Sequence, residues 1–339
     1  MTATGSGGDG VTRAEYRLHL DEADLVSVSA GDLPSTVRIR EVGPRDGFQN
    51  EPEVIATERK VELIDALART GLRRLEVTSF VRADVIPQLA DAAQVLSRID
   101  VPQDVAVSVL IPNERGLDAA LELLAGPGRP AFDEVNVFLS ASETHNRKNV
   151  NRSIAESLAG LEVVLGRACD AGLRCEGVIS TSFGCPYEGR VPVERVLDIA
   201  ARLRDAGAQE IGFGDTTGMA NPRQVRELFA AARSSLGEQV ELTAHFHNTR
   251  GQGLANVLAA LEAGVQSFES SFGELGGCPV PAGATGNIAT EDVVSMLHEM
   301  GVETGVDLDA LLACARRAQE ILGRPLGSHT LVAGPVDWR

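Results

Sequence analysis

The chain has 339 residues, 43% hydrophobic and 23% charged, which is long for one ordinary domain but normal for a single α/β barrel with extensions. Its net charge of −17 argues against nucleic acid as a partner, because phosphate backbones require basic surface. No run of about 18 apolar residues predicts a membrane span, and the first residues lack a secretory pattern. Five cysteines without a CxxC pair point to a reducing, cytoplasmic setting.

Residues 1–12 are small and glycine-rich and read as disordered, within an N-terminal extension over 1–34. From residue 37 short β-branched runs alternate with longer amphipathic stretches. The expected strands are 37–43, 73–80, 105–111, 133–139, 174–180, 208–214, 240–247 and 265–272. The stretch 57–71 carries Val61, Ile64, Leu67 and Ala68 on one face, with Gly71 past its end. Helices over 192–207 and 221–237 each open near a proline, the second capped by Asn221, and each ends in glycine. Eight such units predict a (β/α)8 TIM barrel over 35–305. A doubly wound open sheet fits less well, since no glycine-rich phosphate loop follows the first strand. A further helix near 307–322 belongs to a C-terminal region, 306–339, packed on the barrel.

In such barrels chemistry gathers where the strands end. There the sequence places Arg45, Asp46, Gln49 and Glu51 after strand one, and Glu76, Thr78 and Ser79 on strand two. "SASETHNRKN" follows strand four, Ser180 and "GCPYEG" strand five, Asp215 and Thr216 strand six, and His245 and His247 strand seven. Two histidines at i and i+2 on a strand point to one face. That spacing suits either two hydrogen-bonded histidines or a pair of cation ligands. Asp46 on the same rim shifts the reading toward Mg2+ or Mn2+, which take oxygen and imidazole ligands. Arg45 is either a solvated turn residue or a guanidinium aimed at a developing oxyanion. "GGCPVPAGATGN" is too rich in glycine and proline for a helix and reads as a connection or a lid. Cys278 at its start is a candidate proton carrier. Cys169, Cys175 and Cys314 lie in ordinary helix or strand patterns, and Cys185 lies in a loop.

Together "EVGPRDGFQNE", "EVTSF", "SASETHNRKNVN", "GCPYEG", "GDTTG", "HFHNTRGQGLAN" and "LGGCPVPAGATGNIATED" resemble the 3-hydroxy-3-methylglutaryl-CoA lyase family, among the metal-dependent TIM-barrel carbon–carbon lyases related to Claisen-type synthases. The resemblance runs from about residue 37 to 308. It implies cleavage of the thioester to acetyl-CoA and acetoacetate, as in leucine catabolism and ketone-body formation. It implies that Asp46, His245, His247 and Asn287 hold the divalent cation and that Asp215 takes the hydroxyl proton. It also implies that Arg45 neutralises the enolate, Cys278 protonates it, Glu76 orients Arg45, and Glu291 supports the glycine-rich loop. Gln49, Ser79, Thr216 and Arg250 are the expected substrate contacts. Asn146, Arg147 and Lys148 are candidates for the CoA phosphates, and a homo-oligomer, dimer or tetramer, is expected.

The sequence also departs from the family pattern, and the departures are expected at the mouth. Asn248 and Arg250 stand where Asp and Tyr are usual, Val280 where Tyr is usual, Glu274 where Gly is usual, and Glu176 and Val178 in place of the Arg and Tyr of an Arg-Gly-Tyr. None removes an expected ligand or proton carrier. The usual substrate is favoured, with a differently substituted 3-hydroxyacyl-CoA as the alternative. A Claisen-type synthase usually carries further C-terminal residues. A non-catalytic barrel would be expected to lose one of Arg45, Asp46, His245, His247 or Cys278.

Overall fold

The alternating runs become eight parallel strands: β1 (Arg38–Glu41), β2 (Arg74–Ser79), β3 (Ala106–Leu110), β4 (Glu134–Ser140), β5 (Arg174–Ser180), β6 (Glu210–Asp215), β7 (Glu241–Phe246) and β8 (Ser267–Ser270). They are seen in a computed structural model, which describes residues 33–124, 131–277 and 285–338. Each strand pairs with the next, and β1 pairs with β8, so the sheet closes into a barrel rather than an open sheet. The helices are α1 (Thr57–Leu67), α2 (Ala92–Arg98), α3 (Glu114–Leu124), α4 (Glu143–Val150), α5 (Ile154–Asp170), α6 (Val193–Asp205), α7 (Pro222–Leu236), α8 (Gly253–Glu262), α9 (Thr290–Glu299), α10 (Leu308–Leu322) and α11 (His329–Ala333). Barrel and C-terminal helices form one unit, Pro34–Arg339. No described helix is long and apolar enough to cross a membrane. The readings of residues 1–12, Cys278 and Val280 fall outside the described residues.

Local chemistry sets the element ends. Asn221 caps α7, its side chain accepting from the Gln224 N–H. Pro192 sits at the cap of α6 rather than inside its first turn. The buried face of α1 is Lys60, Leu63, Ile64 and Leu67, with the expected Val61 only half-buried. Gly71 falls in the turn beyond α1, at φ +93°, where a Cβ would lie 2.0 Å from the Gly305 carbonyl oxygen. The first strand stops at Glu41, short of the expected 43, because Gly43–Gly47 winds into a single π-helical turn. Such turns recur at functional sites.

The strands separate two kinds of chemistry by alternation. Their outward faces are apolar, as in Val135, Val137 and Leu139, all fully buried against helices. Each such side chain stabilises the fold by about 1.5–3 kcal/mol. The inward face of the lower barrel is charged instead. Arg40, 1% exposed, lies among Glu134, Glu176, Glu210 and Glu269. Arg74 pairs with Glu210 at 2.6 Å and Glu134 at 2.9 Å. Gly212 on β6 leaves the room this requires, since a Cβ there would stand 2.8 Å from Glu176 Oε1. Glu176 is therefore no mouth residue, as its departure from the family pattern had suggested. It is buried in the barrel floor, paired with the Arg40 guanidinium.

Candidate active site

The π-helical turn after β1 carries Arg45 and Asp46 over the barrel mouth. Arg45 Nε donates to Glu76 Oε2 at 2.6 Å, and Nη1 to Asp46 Oδ1 at 2.8 Å. Glu76 is itself held by the Asn136 amide, 3.0 Å from Oε1. The guanidinium is thus held between two carboxylates. Gln49 Nε2 donates to Asp46 Oδ1 at 2.7 Å, and Asn287 Nδ2 to Oδ2 at 2.8 Å. Burial opposes ionisation of Asp46, but Arg45 and the two histidines hold its carboxyl below the ordinary range.

His245 and His247 turn the same way from β7, and their Nε2 atoms face each other at 3.1 Å. His245 Nδ1 lies 2.8 Å from Glu269 Oε2. A proton on that nitrogen leaves Nε2 as the lone-pair atom, the arrangement found in metal-bound histidines. Burial, reinforced by His245, pushes His247 down to about 3, so it stays neutral and able to ligate. One atom each from Asp46, His245 and His247 falls within 4.8 Å of the others. Asn287 joins them through backbone pairing, since the segment after the glycine-rich loop bridges β7 at His247 and Asn287. The Asn287 Nδ2 is spent on Asp46 and the Leu275 carbonyl, whereas its buried Oδ1 has no partner among the described residues. Two imidazole nitrogens, a carboxylate and an unpaired amide oxygen fit a divalent cation with open positions.

Asp215 ends β6 nearby. Its Oδ1 accepts from the backbone N–H groups of Met219 (2.7 Å) and Ala220 (3.0 Å), while Oδ2 is buried without a partner among the described residues. Burial raises its pKa to about 7, against the pull of those two N–H groups. Thr216 Oγ1 accepts from the Thr181 N–H at 3.2 Å. Thr78 and Ser79 carry buried hydroxyls with no partner among the described residues. Unspent buried polar atoms are rare, and here several gather on one rim.

The remaining site residues expected from sequence do not all aim at the mouth. Arg250 Nη1 donates to the carbonyls of Thr217 (3.0 Å) and Gly218 (2.7 Å), bracing the loop that carries Asp215. Asn146 is buried, its amide committed to the Ser140 N–H, the Arg152 carbonyl and Ser157 Oγ. That side chain works as an internal strut, a correction to its grouping with Arg147 and Lys148. Those two are exposed. Arg147 pairs with Glu143 at 2.8 Å, and Lys148 Nζ stands 4.8 Å from the Tyr187 ring centroid. Asn248 Nδ2 donates to Glu274 Oε1 at 2.8 Å, so two departures from the family pattern are partners. Glu291 accepts from the Gly273 N–H at 2.9 Å, near the root of the glycine-rich segment. Sequence reasoning missed Glu269 and Glu41. Glu41 accepts from the N–H groups of Gly43 (2.7 Å) and Phe272 (3.0 Å) and from Thr290 Oγ1 (2.6 Å). Its carboxylate joins the π-helical turn to both flanks of the glycine-rich segment. The available signal was a carboxylate on a short strand expected in a closed barrel, where burial is costly without partners.

Residues 36–317 match the HMGL-like family. The chain belongs to that family. It is 47% identical over 298 residues to the hydroxymethylglutaryl-CoA lyase of Bacillus subtilis, covering 88% of this chain and 97% of that protein. It is 41% identical over 302 residues to the 3-hydroxy-3-isohexenylglutaryl-CoA/hydroxy-methylglutaryl-CoA lyase of Pseudomonas aeruginosa, covering 89% and 98%. An HMG-CoA lyase structure from A. baumannii, in complex with coenzyme A and 3-methylmalate, superposes with a TM-score of 0.83 at 40% identity, covering 90% of this chain and 97% of that one.

Proposed function

We propose that this chain cleaves 3-hydroxy-3-methylglutaryl-CoA to acetyl-CoA and acetoacetate. The observation that carries the reading is the convergence of Asp46, His245 and His247 beside an Arg45 clamped between Asp46 and Glu76. Family membership and the printed names of its relatives support the same substrate. A Mg2+ or Mn2+ ion held by Asp46, His245, His247 and Asn287 would supply Lewis-acid polarisation of the 3-hydroxyl and a neighbouring oxygen.

The chain's own groups account for the proton and the charge. Asp215 Oδ2 accepts the 3-hydroxyl proton as that carbon becomes a ketone. The C2–C3 bond breaks, and its electron pair passes into the thioester enolate. Arg45 stands against the enolate oxygen, and Glu76 keeps its guanidinium there. Cys278 returns a proton to C2, completing acetyl-CoA. Gln49, Ser79 and Thr216 line the substrate path, with Arg250 acting through the Asp215 loop. Arg147 and Lys148, exposed cations beside the mouth, take the CoA phosphates. We further propose a homo-oligomer, and a cytoplasmic setting on the strength of four free thiols, Cys169, Cys175, Cys185 and Cys314, among the described residues.

The test is a panel of 3-hydroxyacyl-CoA thioesters, including 3-hydroxy-3-methylglutaryl-CoA and analogues with longer 3-alkyl branches, assayed with Mg2+ or Mn2+. Acetyl-CoA and acetoacetate are the expected products. Cleavage of a longer-branched thioester alone would move the substrate, whereas no cleavage of any by metal-loaded protein would end the lyase reading.

Asp215 gives a pH signature. Its base form is needed, and its pKa is about 7, so kcat/KM should fall roughly tenfold per pH unit below that value. Asp215→Asn should be slow and lack that limb. The same shift has a stability sign. Folded protein keeps a proton that the unfolded chain releases near the ordinary Asp value, so stability should decline as pH rises toward 7. An unchanged acid limb in Asp215→Asn would assign the base elsewhere.

A further inference from the structure

We propose that Arg40, in the barrel floor, is a positioning residue for the cation ligand His245, acting through Glu269; this rests on the metal reading above. The three residues occupy one rung across three adjacent strands. Arg40 on β1 is the register partner of Glu269 on β8, and His245 on β7 is the partner of Glu269 on its other side. Glu269 divides its carboxylate between them. Oε1 accepts a hydrogen bond from Arg40 Nη1 at 2.8 Å, and Oε2 faces His245 Nδ1 at 2.8 Å. Two fixed donors on two oxygens leave the carboxylate no freedom to rotate. The imidazole it holds therefore presents Nε2 toward His247 and Asp46.

Stability alone gives a weak reason for Arg40 to be there. Barrel interiors are ordinarily filled by branched apolar side chains, and a buried ion network is often no more stabilising than apolar packing of the same volume. Arg74 cannot replace it, because that guanidinium is turned to Glu134 and Glu210, with Glu241 at 3.8 Å. Arg40 is the one floor guanidinium that reaches Glu269 among the described residues. Another of its partners, Glu176, is one of the departures from the family pattern, so in this chain the floor charge is matched from β1.

The experiment measures Mn2+ affinity of the full chain by calorimetry and by paramagnetic resonance of free Mn2+, alongside kcat, KM and Tm. Arg40→Met is made together with Glu176→Met, so that no partnerless charge is created between them. Arg74→Met with Glu134→Met is the control, removing a comparable pair that does not touch Glu269. The Arg40 pair should weaken Mn2+ binding roughly 10- to 100-fold, the usual range for losing support behind a metal-bound histidine, whereas the Arg74 pair should leave it within about twofold. Arg40→Lys should recover most of the affinity. Should the Met pair not fold, Arg40→Gln with Glu176→Gln carries the same outcomes. Wild-type affinity in the folded Arg40→Met or Arg40→Gln pair, or equal weakening in the control, would overturn the positioning role while leaving the metal reading intact. Failure of the wild-type chain to bind Mn2+ would overturn the metal reading, and this inference with it.

Discussion

Arg45→Met should lower kcat by about a thousandfold, on the order of 4 kcal/mol, as for loss of a principal oxyanion donor. The argument is geometric. Glu76 and Asp46 occupy Nε and Nη1, so the guanidinium is held before substrate arrives and its remaining N–H groups are free to meet charge as it develops. Methionine keeps an unbranched stem and removes every donor. Mn2+ affinity should change little, because Asp46 retains donors from Gln49 and Asn287. Arg45→Lys should recover little activity, since an ammonium cannot span both carboxylates and the substrate. Steady-state kinetics beside a Mn2+ titration separates the cases. A loss under tenfold would remove Arg45 from the charge-stabilising role, and a parallel loss of Mn2+ would make it a support for Asp46.

His247→Ala should weaken Mn2+ binding by more than about 100-fold, above the range for losing mere support behind a ligand. The imidazole is 4% exposed and its Nε2 faces His245, so alanine removes a donor without freeing a surface charge. A thermal shift reads this directly. At Mn2+ a hundred times its Kd, the wild-type chain should gain about 2.7 kcal/mol, several degrees in Tm for a chain of this size. His247→Ala at the same concentration should show almost none of that gain, while both proteins melt at similar temperatures in chelator. A full Mn2+ shift in the variant would exclude His247 as a ligand.

The barrel was legible because alternation and helical periodicity are local signals, and eight repeats leave little choice of architecture. The rim was legible for the same reason, since once the strands are placed their ends are known. What lay beyond sequence reasoning depends on partners far along the chain. Glu269 finds His245 twenty-four residues away, and Arg40 meets Glu176 across 136. Arg250 looked like a free cation because the carbonyls of Thr217 and Gly218 that engage it belong to another loop. Asn146 looked like part of a basic cluster because nothing in "HNRKN" records that one of its residues faces inward. The π-helical turn of Gly43–Gly47 was hidden as well. It depends on the close approach of Phe272 and Leu275, where Cβ atoms on Gly43 and Gly47 would stand 2.6 and 2.8 Å from those side chains.

The floor network also constrains how such a protein can change. Arg40 touches four glutamates, so replacing it by an uncharged residue leaves several carboxylates short of a counter-charge in a medium that cannot solvate them. Selection acting one substitution at a time would find Arg40 hard to replace, whereas at the rim Asn248 and Glu274, hydrogen-bonded to each other, can be exchanged as a pair. Substrate range in this lineage should therefore drift at the rim while the floor moves by paired exchanges. A laboratory library that randomises Asn248 with Glu274, and Arg40 with Glu176, would sample the sequences open to it.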